Sequence, residues 1–477
     1  MNQHATLPIF EEKTMDHLWT KRLVNLLRLS ALVVAFSSSI SASANNVILI
    51  IGDGMDDNQI TIARNYLVGS NGKLLLDQLP MRSAVQVLSV DEDNPKRAIY
   101  VADSANSATS MATGGITSPG RIGTTAGADR DMVNIVELAK QQGIKVGLVT
   151  TASITDATPA SFYAHVNERG CENPEAMVNY EKYAGIVIDC SQDLKGNGGL
   201  GSISEQLVSS GVDVALGGGM KHFTPLAEDS DETVLQLAAT NGYKVISDAE
   251  QLGGDHGGKL LGLFSPSTMP VRWHGEDGRE AEKAKTSFLH LFHNMLGTVT
   301  YPEPMSCEDN PDYPGMPSLA AMTTTALAEL QTDEASFFLM VESASIDKQA
   351  HGRKACGSIG ELQQLDEALA VALEFAKSSP DTLILVTADH GHAAQILSER
   401  TIYEGIDIPI YSPGYLVRVN TPEGAIMTVN YATNNFVSEE HTGISVPLLT
   451  NQVGIGRVAA MIRQPDIFTL VKDYLLD

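Results

Sequence analysis

Five short runs of aliphatic and β-branched residues set the strongest limit on how this chain can fold. Val47–Ile51, Val146–Thr150, Val212–Leu216, Phe337–Val341 and Leu383–Thr387 read as strands that are apolar on both faces. A strand with no polar face must be covered on both sides, which points to a parallel sheet between helices rather than a sheet with one wet face. Between these runs, Met132–Gln142, Thr233–Asn241, Leu319–Gln331 and Ile359–Lys377 carry apolar residues at helical spacing. The alternation predicts an α/β chain with a mostly parallel central sheet and helices on both faces, a three-layer sandwich. No repeat, proline-rich linker or low-complexity tract divides the 477 residues, so one large domain is expected over 45–477. Proline and glycine concentrate in Tyr301–Pro317, read as a surface excursion. In such sheets ligands gather at the carboxyl ends of strands, so polar residues directly after a strand carry the most weight.

The first 44 residues are a different kind of segment. Lys21, Arg22 and Arg28 precede Leu29–Phe36, an apolar run too short to span a bilayer, and Ala42-Ser43-Ala44 follows as a cleavage pattern. This is a secretory signal peptide with a short N-terminal extension; Met15 serves equally well as a start. The chain is expected to be periplasmic or secreted, with no stable membrane anchor after cleavage. Removing four basic and three acidic residues with the leader takes the net charge from −26 to −27. That balance, with no run of five like charges, excludes a nucleic-acid backbone as partner. Cys171, Cys190, Cys307 and Cys356 all follow the leader, and no pair has zinc-ribbon spacing. Four cysteines in an exported chain imply two disulfides. Of three pairings, Cys171–Cys190 with Cys307–Cys356 closes the shorter loops, each stabilising by about 3–4 kcal/mol.

Six polar motifs fall after strands or in loops. Gly52-Asp53-Gly54 follows the first strand. Asp103-Ser104 opens a helical stretch after the strand-like Ala98–Val101, where Asp103 suits the N-cap and Ser104 faces free amides at the positive end of the helix dipole. A hydroxyl nucleophile there needs an activator, and with no histidine nearby in sequence a metal is the candidate. Asp156 and Thr158 offer oxygens suited to a hard cation, and Arg169, eleven residues beyond Thr158, offers a planar fork for phosphate. Glu342 ends a strand, while Asp347 and His351, four apart, share a helical face and can grip one metal. Asp389 and His390 are adjacent at a strand end, with His392 placed to orient another ligand, and His441 lies in Glu440–Gly443. Together these residues suit two zinc ions, one magnesium ion, a serine nucleophile and a phosphate clamp.

From about Val47 onward the chain resembles the bacterial secreted alkaline phosphatases. The resemblance rests on D-S-x-x-S-A-T at Asp103–Thr109, D-A-T-P at Asp156–Pro159, V-E-x-A-S-I-D-K-Q-x-H at Val341–His351, T-A-D-H-x-H at Thr387–His392 and E-H-T-G at Glu440–Gly443. It implies phosphate-monoester hydrolysis through a phosphoserine on Ser104, with small-molecule esters as substrates. It further implies that Asp53, Asp389 and His390, with the Ser104 oxygen, hold one zinc, and that Asp347, His351 and His441 hold the other. Asp53, Thr158 and Glu342 would hold magnesium, with Asp156 and Lys348 reaching its waters and Arg169 holding phosphate. The same cysteine pairing follows. A homodimer is possible, although the long N-terminal arm of well-known members has no counterpart, Asp53 lying nine residues after the cleavage point. Ala350 stands where some relatives are acidic.

Two rival readings remain at this level, a phosphodiesterase of the same superfamily and a periplasmic phosphate-binding protein without turnover. Ser104 amid metal-type residues argues against the second. Other near-motifs fail. Gly253–Lys259 resembles a P-loop but has Leu260 where Ser or Thr is required. Thr117–Arg121 resembles a sulfatase pattern with threonine in the nucleophile position. His290 and His293 lie in Phe288–Leu296, read as an amphipathic helix with its histidines on the surface.

Overall fold

The computed structural model describes Met1 and residues 45–476 except 184, 255, 294, 332–334, 404 and 406. The expected leader therefore lies outside the described residues from position 2 to 44. Ten strands form one sheet: β1 (Asn46–Gly52), β2 (Met81–Gln86), β3 (Lys145–Ser153), β4 (Val214–Gly218), β5 (Tyr243–Ile246), β6 (Lys259–Leu263), β7 (Phe337–Ser343), β8 (Thr382–Ala388), β9 (Val446–Thr450) and β10 (Met461–Arg463). Their spatial order is β10-β2-β9-β8-β1-β7-β3-β4-β6-β5. Every neighbouring pair is parallel except the two made by β9, which runs against β8 and β2.

The five expected strands are all present. β1, β7 and β8 are buried along their whole length, so helices must cover both faces. α1 (Asp57–Val68), α5 (Leu319–Leu330) and α7 (Ala355–Ser378) pack together as one group, and α2 (Ser104–Thr113), α3 (Ile135–Gln141) and α8 (Pro465–Leu476) as another. Two short helices, α4 (Ala157–Ala160) and α6 (Ser345–His351), sit beyond the ends of β3 and β7.

Element boundaries moved where side chains compete for the backbone. The strand expected at Val212 begins at Val214, because Asp213 turns its carboxylate to Val146 N–H at 2.7 Å and Lys140 Nζ at 2.7 Å. The helix expected from Met132 begins at Ile135, where Asn134 and Glu137 form a reciprocal cap at 3.0 and 2.9 Å. The strand expected at Ala98–Val101 is only Ala98–Ile99, paired with Ser89–Val90.

Among the described residues of Phe288–Leu296 the expected α-helix does not form. Lys285–Thr286 pairs antiparallel with Val299–Thr300, and the described residues between them include a 3-10 turn at Phe288–Leu291. His290 and His293 stay at the surface, but on a loop. Cys307 lies in a short strand paired with Trp273–Gly275 and is bonded to Cys356 in the first turn of α7, tying down the Tyr301–Pro317 excursion. The second disulfide joins Cys171 and Cys190. The glycine-rich tract near Lys259 leads into β6, not into a helix, which agrees with its rejection as a P-loop; Asp255 within it lies outside the described residues. Among the described residues no helix is long and apolar enough to cross a membrane.

Candidate active site

Register brings the site together. Ile51 of β1 lies level with Glu342 of β7 and Thr387 of β8, and Gly52 is level with Ser343 and Ala388. The next residues outward, Asp53 and Asp389, therefore leave adjacent strand ends side by side. Asp53 N–H donates to Ser343 O at 3.1 Å, and Gly54 N–H donates to Asp389 Oδ1 at 3.0 Å. Gly54 has φ +66°, and a Cβ there would lie 3.2 Å from Asp347 Cβ, so the turn needs glycine both for its dihedral and for its clearance.

Ser104 is the first residue of α2. Asp103 caps that helix, accepting Asn106 N–H at 3.0 Å while Asn106 Oδ1 accepts Asp103 N–H at 2.8 Å. The cap holds Ser104 buried at the helix N-terminus, its Oγ 3.2 Å from His390 Nε2 and 3.5 Å from Asp53 Oδ1. His390 Nε2 lies 3.4 Å from both Asp53 Oδ1 and Asp389 Oδ2.

A second cluster surrounds Asp347. His351 Nε2 is 3.4 Å from its Oδ2, and His441 Nε2 and His392 Nε2 are each 3.3 Å from its Oδ1. The backbone selects the tautomers. His441 Nδ1 lies 2.8 Å from Ala102 O, His390 Nδ1 3.2 Å from Gly391 O, and His351 Nδ1 against Glu439 O. Each carbonyl can only accept, so these three rings carry their proton on Nδ1 and turn the Nε2 lone pair inward. His392 is the opposite case: its Nδ1 accepts Ala393 N–H at 2.7 Å, which puts its proton on Nε2, toward Asp347. Its Nε2 faces Asp347 Oδ1 at 3.3 Å without a hydrogen bond of good geometry.

Phosphate-type groups flank the clusters. Arg169 places Nη1 3.3 Å from Asp103 Oδ2 and Nη2 3.0 Å from Asp156 Oδ1, while Lys348 Nζ lies 2.6 Å from Asp156 Oδ2. Asp156 caps α4, accepting Ala157 N–H at 2.8 Å, and this fixes Thr158 one residue further on. Thr158 Oγ1 is buried without a hydrogen-bond partner. Glu342 accepts Thr150 Oγ1–H at 2.5 Å.

The electrostatics are those of a site built for cations. Burial, then the charges of Asp347, Asp389 and Glu342, push Asp53 well above the ordinary carboxylate range. Burial likewise pushes Glu342 up to about 8 and Asp389 up to about 6. Although burial works the other way, Asp347 raises His441 to about 9. Asp347 Oδ1 is buried with no hydrogen bond of good geometry. Two groups, Asp347 with His351, His392 and His441, and Asp53 with Asp347 and His390, each bring nitrogen and oxygen atoms within 4.8 Å of one another. Imidazole nitrogens with carboxylate oxygens suit zinc, and the buried, unpartnered Thr158 Oγ1 offers an oxygen of the kind magnesium takes. The residues fit both metals.

Of the candidate site residues, the structure gathers Asp53, Ser104, Asp347, His351, Asp389, His390, His392 and His441 in the two clusters. It sets Asp156, Arg169 and Lys348 beside one another, while the four cysteines and the surface histidines His290 and His293 lie apart. Asp103 was read only as a helix cap, and its second contact, on Arg169, leaves no mark in the sequence beyond its position next to Ser104. The catalytic-type residues come from seven separate segments, so no local pattern could have joined them.

Comparison with known proteins agrees with this geometry. A family model described as alkaline phosphatase matches residues 44–453. The alkaline phosphatase of Escherichia coli K12 is 38% identical over 438 residues, 90% of this chain and 85% of that one. Streptomycin-6-phosphate phosphatase of Streptomyces griseus is 38% identical over 464 residues, 94% of each. The solved alkaline phosphatase of the Antarctic bacterium TAB5 shares the fold, with a TM-score of 0.61 at 23% identity over 91% of this chain and 98% of that one. With metal-type clusters, a capped serine and an arginine fork assembled at the strand ends, the chain belongs to the alkaline phosphatase family and is a phosphoric monoester hydrolase.

Proposed function

We propose that Ser104 is the nucleophile and Arg169 the phosphate clamp of a phosphomonoesterase that works through a phosphoserine. Asp53, Asp389 and His390 would hold one zinc near Ser104, and Asp347, His351 and His441 the other. Asp53, Thr158 and Glu342 would hold magnesium. A solved His-to-Asp mutant of the TAB5 enzyme has magnesium bound in its M3 site, which supports this ion as the third. These ions would supply Lewis-acid stabilisation of charge on the attacking and departing oxygens.

The chain's own residues do the rest. Arg169, with one nitrogen on Asp103 and the other on Asp156, has its fork fixed before substrate arrives and presents two donors to two non-bridging phosphate oxygens. Ser104 Oγ attacks phosphorus in line, the phosphorus–ester oxygen bond breaks and the alcohol leaves. Water then attacks phosphorus on the opposite side, and Ser104 regains its proton as phosphate departs. Lys348 holds Asp156 in place and offsets its charge. A monoester carries one more charged oxygen than a diester, so the two-donor fork favours monoesters.

The mature enzyme is proposed to span 45–477 after cleavage following Ala44, and to act in the periplasm or outside the cell, where both disulfides can form. The observation that carries the reading is Ser104 Oγ at a capped helix start, within 3.5 Å of His390 and Asp53. Ser104→Ala should lower phosphomonoester turnover at least about a thousandfold with metal content unchanged. Near-normal turnover in the metal-loaded variant would overturn it.

A further inference from the structure

We infer that Arg353 and Glu439, an ion pair no motif includes, are positioning residues that set the imidazole of His351 where it faces that of His441. The inference rests on the reading of those histidines as zinc ligands. Arg353 lies two residues after His351, and Glu439 two before His441. Arg353 Nε is 2.7 Å from Glu439 Oε2, with Arg353 7% exposed and Glu439 fully buried. The guanidinium also donates to Phe436 O at 2.8 Å and stacks 4.3 Å from the centre of the Tyr415 ring. The other carboxylate oxygen accepts Thr433 N–H at 2.7 Å and Thr433 Oγ1–H at 2.6 Å. The bonds of Arg353 to Glu439 and Phe436 tie the 433–439 loop to the end of α6, and those of Thr433 to Glu439 brace the loop itself.

Through that loop the pair reaches His351. Glu439 N–H donates to His351 O at 3.0 Å, and Glu439 O accepts from His351 Nδ1. The backbone of one residue thus grips His351 from both ends. Swinging the loop away would remove the acceptor that keeps the His351 proton on Nδ1, and with it the inward lone pair on Nε2. Two observations argue that the pair is kept for position. Buried ion pairs seldom add net stability over apolar packing. Arg353 also holds φ +57°, a left-handed backbone that favours glycine, so the arginine persists against its local preference.

The test measures zinc release from the full-length, zinc-loaded enzyme into excess chelator, followed with a chromogenic zinc indicator. Arg353→Gly removes the guanidinium and suits the left-handed backbone, but it leaves the buried Glu439 carboxylate unpaired. The melting temperature of the metal-free protein should therefore fall, and zinc release is the readout that separates positioning from stability. The variant should release one of the two zinc equivalents at least about tenfold faster, in line with the loss seen when partners of ligating histidines are removed, and leave the other unaltered. Arg353→Lys, keeping charge without the fork, should fall between, and Glu439→Gln should behave like Arg353→Gly. Wild-type release from Arg353→Gly and Glu439→Gln would overturn the inference, whatever the melting temperature. His441→Ala is the control for the ligand reading. If it keeps both zinc equivalents, that reading fails; if it loses one while Arg353→Gly releases normally, only the positioning role fails.

Discussion

His351 Nε2 and His441 Nε2 face each other across 3.1 Å, each with its Nδ1 committed to a backbone carbonyl. Two lone pairs cannot approach so closely unless a cation or a proton lies between them or on one of them. In the metal-free protein the proton is that cation, consistent with His441 being raised to about 9 beside Asp347.

The pH dependence of the metal-free enzyme follows. Asp53, Asp389 and Glu342 are raised in the fold, the last two to about 6 and 8. Between the ordinary value near 4 and these values the folded protein holds protons that the unfolded chain has lost, so raising pH favours unfolding. His441 acts in the same direction: its contribution is complete below its ordinary value near 6.5 and is lost as pH passes about 9. Asp347, held low by His441 and His351 against its burial, contributes a constant amount across this window. His390 and His392, lowered by burial, act the other way below their ordinary value near 6.5. The melting temperature of the metal-free protein should therefore fall from about pH 6.5 to 9, while zinc and magnesium should raise it and flatten the profile. Calorimetry of both forms decides this; a flat metal-free profile contradicts it.

Arg169→Lys should test the fork. A lysine can meet one phosphate oxygen but cannot also hold Asp103 and Asp156 in plane. The value of kcat/KM for a phosphomonoester should fall about a hundredfold, equivalent to about 2.7 kcal/mol. Diester turnover, which lacks the second charged oxygen, should fall less, so the ratio between the two substrates should narrow. Equal losses on both would mean that Arg169 does not select for the dianion.

Gly54 and Gly143 make a matched pair. Both have positive φ, at +66° and +73°, but a Cβ on Gly54 meets Asp347 while one on Gly143 meets nothing within 4 Å. Alanine at either position should cost about 1 kcal/mol of stability from the backbone alone. Only Gly54→Ala should also lower zinc content and turnover, by displacing Asp347. Metal analysis of the two variants separates these effects, and full zinc in Gly54→Ala would show that Asp347 yields without consequence.

How much of this was legible in the sequence depends on range. Val47–Ile51, Phe337–Val341 and Leu383–Thr387 announce central strands because burial on both faces excludes polar residues. The order of the strands was not legible: that β1 lies between β7 and β8 is a matter of tertiary packing, as is the reversed β9. β5 and β6 were less legible because Tyr243–Ile246 carries Lys244 and Lys259–Leu263 opens on a lysine and contains Gly262, so neither reads as a run apolar on both faces. Phe288–Leu296 has the spacing of an amphipathic helix, yet pairing of the flanking residues closes it as a loop. In the site, residue types were visible but protonation was not. His392 differs from His390, His351 and His441 only through the Ala393 amide, and Arg353 finds Glu439 across 86 positions.

The two kinds of metal site should part under chelation. Glu342, Asp53 and Thr158 offer oxygen alone, and magnesium held by oxygen exchanges readily. His390, His351 and His441 offer preset imidazole nitrogens, which bind zinc far more tightly. Mild chelation should therefore lower the rate by removing magnesium first, and added Mg²⁺ should restore it with zinc content unchanged. Glu342→Gln should reproduce that state, because the amide loses the charge while its oxygen can still accept from Thr150. Its activity should respond to Mg²⁺ only at concentrations at least about tenfold higher than wild type needs, with two zinc ions retained. His441→Ala should instead lose one zinc and should not recover with Mg²⁺ at any concentration. Elemental analysis beside the activity titration reads both variants. Equal zinc loss in the two would show that Glu342 belongs to a zinc site and that the division between oxygen and nitrogen ligands drawn here is wrong.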